Sequence, residues 1–135
     1  MAALPDELRT LLAGPNIAHL ATILPDGSPH TVAVWAGIDG DRAYFFTQDH
    51  SRKARNIADD PRVAISLVAH DNPYATAWLR GRVAQTLHGE EALVKIDELA
   101  LKYTGQPFPM RSGTVFLIDV ARAGALTLPF QPLPA

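Results

Sequence analysis

Two closely spaced turn signals, Pro25-Asp26-Gly27-Ser28 and Asp39-Gly40-Asp41, constrain this chain more than any other feature. Each lies between apolar, β-compatible runs: Ile17 to Leu24, Pro29 to Ala36, and Arg42 to Thr47. Asp and Gly in such clusters reverse the backbone because they tolerate the required dihedral angles and bond locally to it. Strands joined by turns this short must be antiparallel, since a parallel pair needs a crossover of about a dozen residues or more. Along the second run, Val32 and Val34 share one face, while Thr31, Ala33 and Trp35 share the other.

The rest of the chain continues the pattern. Val63 to Ala69 reads as a strand, and Tyr74 to Leu87 as a long one. Gly81 inside the latter predicts a bulge or a close backbone approach. Thr114 to Val120 makes a sixth strand, and Ala125 to Leu128 adds a short last pairing. Helices are predicted over Pro5 to Leu12, Ser51 to Asp59 and Gly89 to Tyr103. The last has an apolar stripe of Leu93, Ile96, Leu99 and Ala100. Thr104 to Gly113, with Gly, Pro and polar residues, reads as a mobile loop. The expected architecture is mainly β with inserted helices, a six-stranded antiparallel barrel forming one domain over residues 1–135.

Ser51 to Asp59 carries the clearest chemical signal. Ser51 caps the helix and Asp60-Pro61 ends it, because the residue before proline is pushed out of the α region. Arg52 and Lys53 fall in the first turn, against the positive end of the helix dipole. Cations placed there predict an anion, for which the free amides of a helix start are a natural seat.

Other chemistry is sparse. A net charge of −2 gives no basic field for nucleic acid. There is no cysteine, hence no disulfide or thiolate chemistry. No apolar run approaches the roughly 20 residues that span a bilayer, and the N-terminus lacks a secretory pattern, so the expected location is cytoplasmic. His19, His30, His50, His70 and His88 show no metal-ligand spacing, so no metal is expected. No serine lies in a nucleophile motif, and Asp59-Asp60 and Glu90-Glu91 point apart. With no catalytic side chains recognisable, any enzymatic chemistry belongs to a bound cofactor.

Several stretches in order carry a family resemblance. They are Leu20-Ala21-Thr22-Ile23-Leu24-Pro25-Asp26-Gly27-Ser28-Pro29-His30-Thr31-Val32, Tyr44-Phe45-Phe46-Thr47, Ser51-Arg52-Lys53-Ala54-Arg55-Asn56 and Asp60-Pro61-Arg62-Val63-Ala64. Together with Trp78-Leu79-Arg80-Gly81-Arg82-Val83-Ala84 they resemble the pyridoxamine-phosphate-oxidase-like split-barrel flavin and deazaflavin oxidoreductases. The chain is most similar to the small F420-dependent branch. That resemblance implies a split β-barrel and a homodimer with two cofactor sites at its interface. It also implies hydride transfer between coenzyme F420, a 5-deazaflavin, and a small organic acceptor. Ser51, Arg52, Lys53 and Asn56 would hold the cofactor phosphate, with Thr47 and Gln48 lining its approach. The strand Val32, Ala33, Val34 and Trp35 would run along the ring, and Trp78 and Arg80 would complete the site from the other subunit. By burial preference alone, both tryptophans belong in a core.

One departure concerns the cofactor. Pyridoxamine phosphate oxidases place a basic residue at each end of an apolar strand segment, whereas Pro29 to Gly37 contains no arginine or lysine. This weakens FMN relative to F420, although Arg52 and Lys53 serve either phosphate. FMN therefore stays the alternative cofactor. Two other classes remain: a cofactor-binding protein without turnover, and a haem-binding split barrel with His30 or His50 as ligand.

Overall fold

Asp26 Oδ1 accepts from the Ser28 amide at 3.0 Å, and Leu24 and Ser28 close the first hairpin at 2.8 Å. Gly27 there has φ 86°, a conformation costly for any side chain. The computed structural model describes residues 3–134. Its elements are α1 (Asp6–Ala13), β1 (Ala18–Ile23), β2 (Pro29–Val34), β3 (Ala36–Asp39), β4 (Arg42–Thr47), α2 (Arg52–Asp59), β5 (Arg62–Ala69), β6 (Asn72–Leu87), α3 (Gly89–Thr104) and β7 (Thr114–Thr127). Among the described residues, no helix is long and apolar enough to cross a membrane.

The strands form one antiparallel sheet in the order β2-β1-β5-β6-β7-β4-β3. It has seven strands, which corrects the expected six. The run Pro29 to Ala36 is not a single strand: it breaks at Trp35, and β3 begins at Ala36. β2 and β3 are the opposite edges of the sheet, yet one residue separates them in sequence. The sheet must therefore curl until its two edges meet at Trp35. This makes it a split half-barrel. β7 also differs from expectation, running unbroken to Thr127 along β6.

Alternation along the strands fills two apolar layers. Leu20, Phe45, Ile65, Leu79 and Ile118 point into the barrel, and Leu8 and Leu12 of α1 join the same cluster. Tyr44, Val115 and Leu117 point the other way, against Ile96 and Leu99 of α3. β4 and β7 are thus covered on both faces, whereas among the described residues the outer face of β1, β5 and β6 has no helix over it. Tyr103 fixes the corner between β2 and β3. Its hydroxyl donates to the Asn16 carbonyl at 2.6 Å and accepts from the Ala36 amide at 3.2 Å. Beside it Lys102 donates to the carbonyls of Leu12 and Ala36, and burial pushes its pKa down to about 8.

Candidate functional site

The start of α2 is assembled from four of the residues singled out in the sequence. Ser51 Oγ accepts from the Ala54 amide at 3.2 Å, the expected cap, and from Thr47 Oγ1 at 3.1 Å. Arg52 Nε donates to Asn56 Oδ1 at 3.0 Å, and Asn56 Nδ2 donates to Thr22 Oγ1 at 3.0 Å. Asn56 is fully buried at 0% exposure. Its amide thus pins α2 to β1 and orients the Arg52 guanidinium. Asn56→Ala should cost about 1–3 kcal/mol of stability, since it leaves Thr22 unpartnered in the core. Urea unfolding of the variant checks this, and a loss below a few tenths would contradict it.

Lys53 takes no part in these bonds. With Ala33, Val34, Trp35, Phe46 and Phe108 it lines a cavity of about 320 Å³. Partial burial lowers its pKa from the ordinary lysine value. Among the described residues it has no hydrogen-bond or carboxylate partner. The walls are aromatic. Trp35 stacks on Tyr103 at 5.3 Å, and Phe108 meets Phe46 edge-on at 5.0 Å and Trp35 at 6.2 Å. An apolar cavity with one desolvated, unpaired cation suits a flat ring that carries an anionic group. His30 adds a second unsatisfied group: its Nδ1 is buried without a bond, on the strand position opposite Thr22.

The segment from Gln106 to Gly113 is tied down at two points. Asp97 accepts from the Phe108 amide at 3.2 Å and from both Arg111 Nη atoms at 2.9 and 3.0 Å. These guanidinium bonds hold the Asp97 carboxyl below its usual pKa. Gln48 Nε2 donates to the Ser112 carbonyl at 2.9 Å and its Oε1 accepts from Ser112 Oγ at 3.2 Å. Gln48 therefore spends its amide on the loop that presents Phe108. Phe46 and Phe108 carry little signal in the sequence. Phe46 is visible only as the alternate of core Phe45, and Phe108 lies in a segment with no periodicity.

The structure thus gathers Ala33, Val34, Trp35 and Lys53 on one cavity, and Thr47, Ser51, Arg52 and Asn56 in a bonded group at the start of α2. Val32 faces the barrel and packs against its core. Trp78 and Arg80 do not join them within one chain. They stand on the outer face of β6, with β1 and β5 between them and β2. Trp78 is 42% exposed, which corrects its reading as a core residue, and the Arg80 guanidinium lies 5.4 Å from its ring centre. Among the described residues no histidine lines the cavity, and no three acidic or histidine side chains cluster as a metal site.

The profile of the pyridoxamine 5'-phosphate oxidase family matches residues 4–126. The chain belongs to that family. Over 65 residues it is 35% identical to a pyridoxine/pyridoxamine 5'-phosphate oxidase from Kineococcus radiotolerans, a match covering 48% of this chain and 29% of that enzyme. An F420 reductase superposes with a TM-score of 0.78 at 29% identity, covering 89% of this chain and 98% of that one. A conserved hypothetical protein from Mycobacterium tuberculosis gives a TM-score of 0.78 at 24% identity, covering 100% of this chain and 93% of that one, and so shares the fold. These likenesses place this member of the pyridoxamine 5'-phosphate oxidase family among oxidoreductase-like proteins of the flavin and deazaflavin type.

Proposed function

We propose that this protein is an F420-dependent oxidoreductase that passes a hydride between the deazaflavin and a small organic acceptor. The observation that carries the reading is Lys53, a partly desolvated and unpaired cation at a helix start that also faces an aromatic cavity. When bound, the deazaflavin supplies the hydride chemistry. The residues of the chain bind and orient it: Lys53, Arg52, Ser51 and the free amides of α2 for the phosphate, and the backbone of Val32 to Trp35 for the ring. Asn56 contributes by fixing Arg52. Trp35, Phe46 and Phe108 exclude water from the ring. The lack of any cation on Pro29 to Gly37, where pyridoxamine phosphate oxidases carry basic residues, favours F420 over FMN.

Trp78 and Arg80 reach such a site only from a second copy of the chain, and a homodimer is part of the proposal. Its support is the uncovered outer face of the sheet, where Val68 (41% exposed) and Leu126 (59%) stand opposite Thr76, two residues from Trp78. Exposed large apolar side chains on a sheet face that no helix covers suit an interaction surface. Titrating the purified protein separately with F420 and FMN, followed by absorbance and fluorescence, tests the reading. F420 should bind more tightly, and light scattering should show a dimer. Tighter FMN binding would overturn the choice of cofactor, and a monomer binding at full affinity would overturn the interface arrangement.

A further inference from the structure

We propose that the outer face of β5, β6 and β7 carries a second anion site, centred on Arg80 and Arg122, for an oxyanion with more than one negative charge. It goes beyond the cofactor reading, which uses Arg80 alone and only from a second copy. In the sheet register Arg80 stands directly opposite Arg122, and Arg62 directly opposite Arg82. Like charges directly opposed on neighbouring strands destabilise a sheet. Arg62 is compensated by Asp60, and Arg82 stands opposite Asp119, so the uncompensated pair is Arg80 and Arg122, which is costly unless something negative lies between them.

The nearby carboxylates are already engaged. Asp119 is held by Arg42 at 2.7 Å, and Asp60 by Arg62 at 2.7 Å. Among the described residues, Arg80 and Arg122 have no carboxylate partner. The four arginines and Asp119 border a depression of about 730 Å³ that is also lined by Ala21, Ala64, Gly81 and Ala121. Side chains this small leave open space beside Arg80 and Arg122. Trp78 braces the Arg80 guanidinium from one side, which lowers the entropy lost on binding. The backbone itself is shaped for the pairing. Arg80 pairs with Arg122 but Gly81 with Val120, so β7 has an extra residue, Ala121, at a bulge. Bulges re-aim side chains, and this one sets Arg122 across from Arg80. Paired guanidinium forks match the geometry of phosphate or carboxylate oxygens. This face shares no lining residue with the Lys53 cavity.

Isothermal titration of the full chain with inorganic pyrophosphate, at constant ionic strength, tests the site. Lys53→Ala should keep a pyrophosphate site, and the double variant Arg80→Gln/Arg122→Gln should lose that site, with affinity falling at least about tenfold. Arg122→Glu should abolish it too. Without anion, Arg122→Glu should also raise the melting temperature, because it turns a repulsive cross-strand pair into an attractive one. Two sites per chain in the wild type would support both anion sites. One site that survives Lys53→Ala and vanishes in the arginine double variant would support this proposal alone. Binding that vanishes in Lys53→Ala, or that is unchanged in the double variant, would overturn it. A lower melting temperature for Arg122→Glu would overturn the claim of repulsion.

Discussion

Gly81→Ala should destabilise the protein by about 3 kcal/mol or more, at the upper end of single-substitution effects. A β carbon at Gly81 would lie 2.0 Å from the Asp119 carbonyl oxygen, 2.9 Å from its carbon and 3.1 Å from the Val120 Cα. All three are backbone atoms of the neighbouring strand, so no side-chain rotation relieves the clash. Relief requires β6 and β7 to part at the bulge. That would break ladder bonds in the pairing that extends from Ala75–Thr127 to Leu87–Val115. Gly27→Ala makes a useful control. Nothing lies within 4 Å of a β carbon there, so only the φ of 86° is penalised, for about 1–2 kcal/mol. Urea unfolding of both variants should separate them clearly. A Gly81→Ala protein as stable as the control would mean that the strands do not approach this closely.

That close approach was legible in the sequence, because a lone glycine weakens a long strand and is kept where a side chain would not fit. The hairpin turns and the Ser51 cap were legible for the same reason: each rests on a residue type with a local backbone role. The break at Trp35 was not. Val34, Trp35 and Ala36 are all at home in a strand, and no Gly or Pro marks the point where the chain leaves one sheet edge for the other. The seventh strand follows from closing the barrel, a tertiary event without a local signal. The exposure of Trp78 was hidden likewise, since burial preference describes a residue's average and not an outer sheet face. The resemblance implied Asn56 as a phosphate ligand, and only its bond to Thr22, 34 positions away, shows that it is also a buried pin. For the site, residue order along α2 pointed to Lys53 and Ser51, while the aromatic walls depended on how β4 and the Phe108 loop come together.

Lys53→Ala should weaken F420 or FMN binding by about one to two decades while leaving the fold intact. Charge-assisted contacts to phosphate are typically worth about 1.5–3 kcal/mol each, which sets that range. The folded state should lose little. Lys53 has no carboxylate to abandon among the described residues, and a cation at a helix N-terminus opposes the dipole, so the melting temperature should hold or rise slightly. Two dependences separate this role from a structural one. Binding by a paired charge weakens with salt, and the variant should show a shallower decline. The pH dependence has a definite sign. Burial lowers the pKa of Lys53 in the free protein, so it loses its proton earlier than an ordinary lysine as pH rises. Only the protonated amine attracts phosphate. Wild-type affinity should therefore fall on the alkaline side, beginning below the usual lysine range, and the variant should lack that fall. Isothermal titration of both proteins at two salt concentrations and across the alkaline range measures all three effects. Unchanged affinity in Lys53→Ala, with melting temperature preserved, would place the phosphate elsewhere and leave α2 as a helix that merely closes the barrel wall.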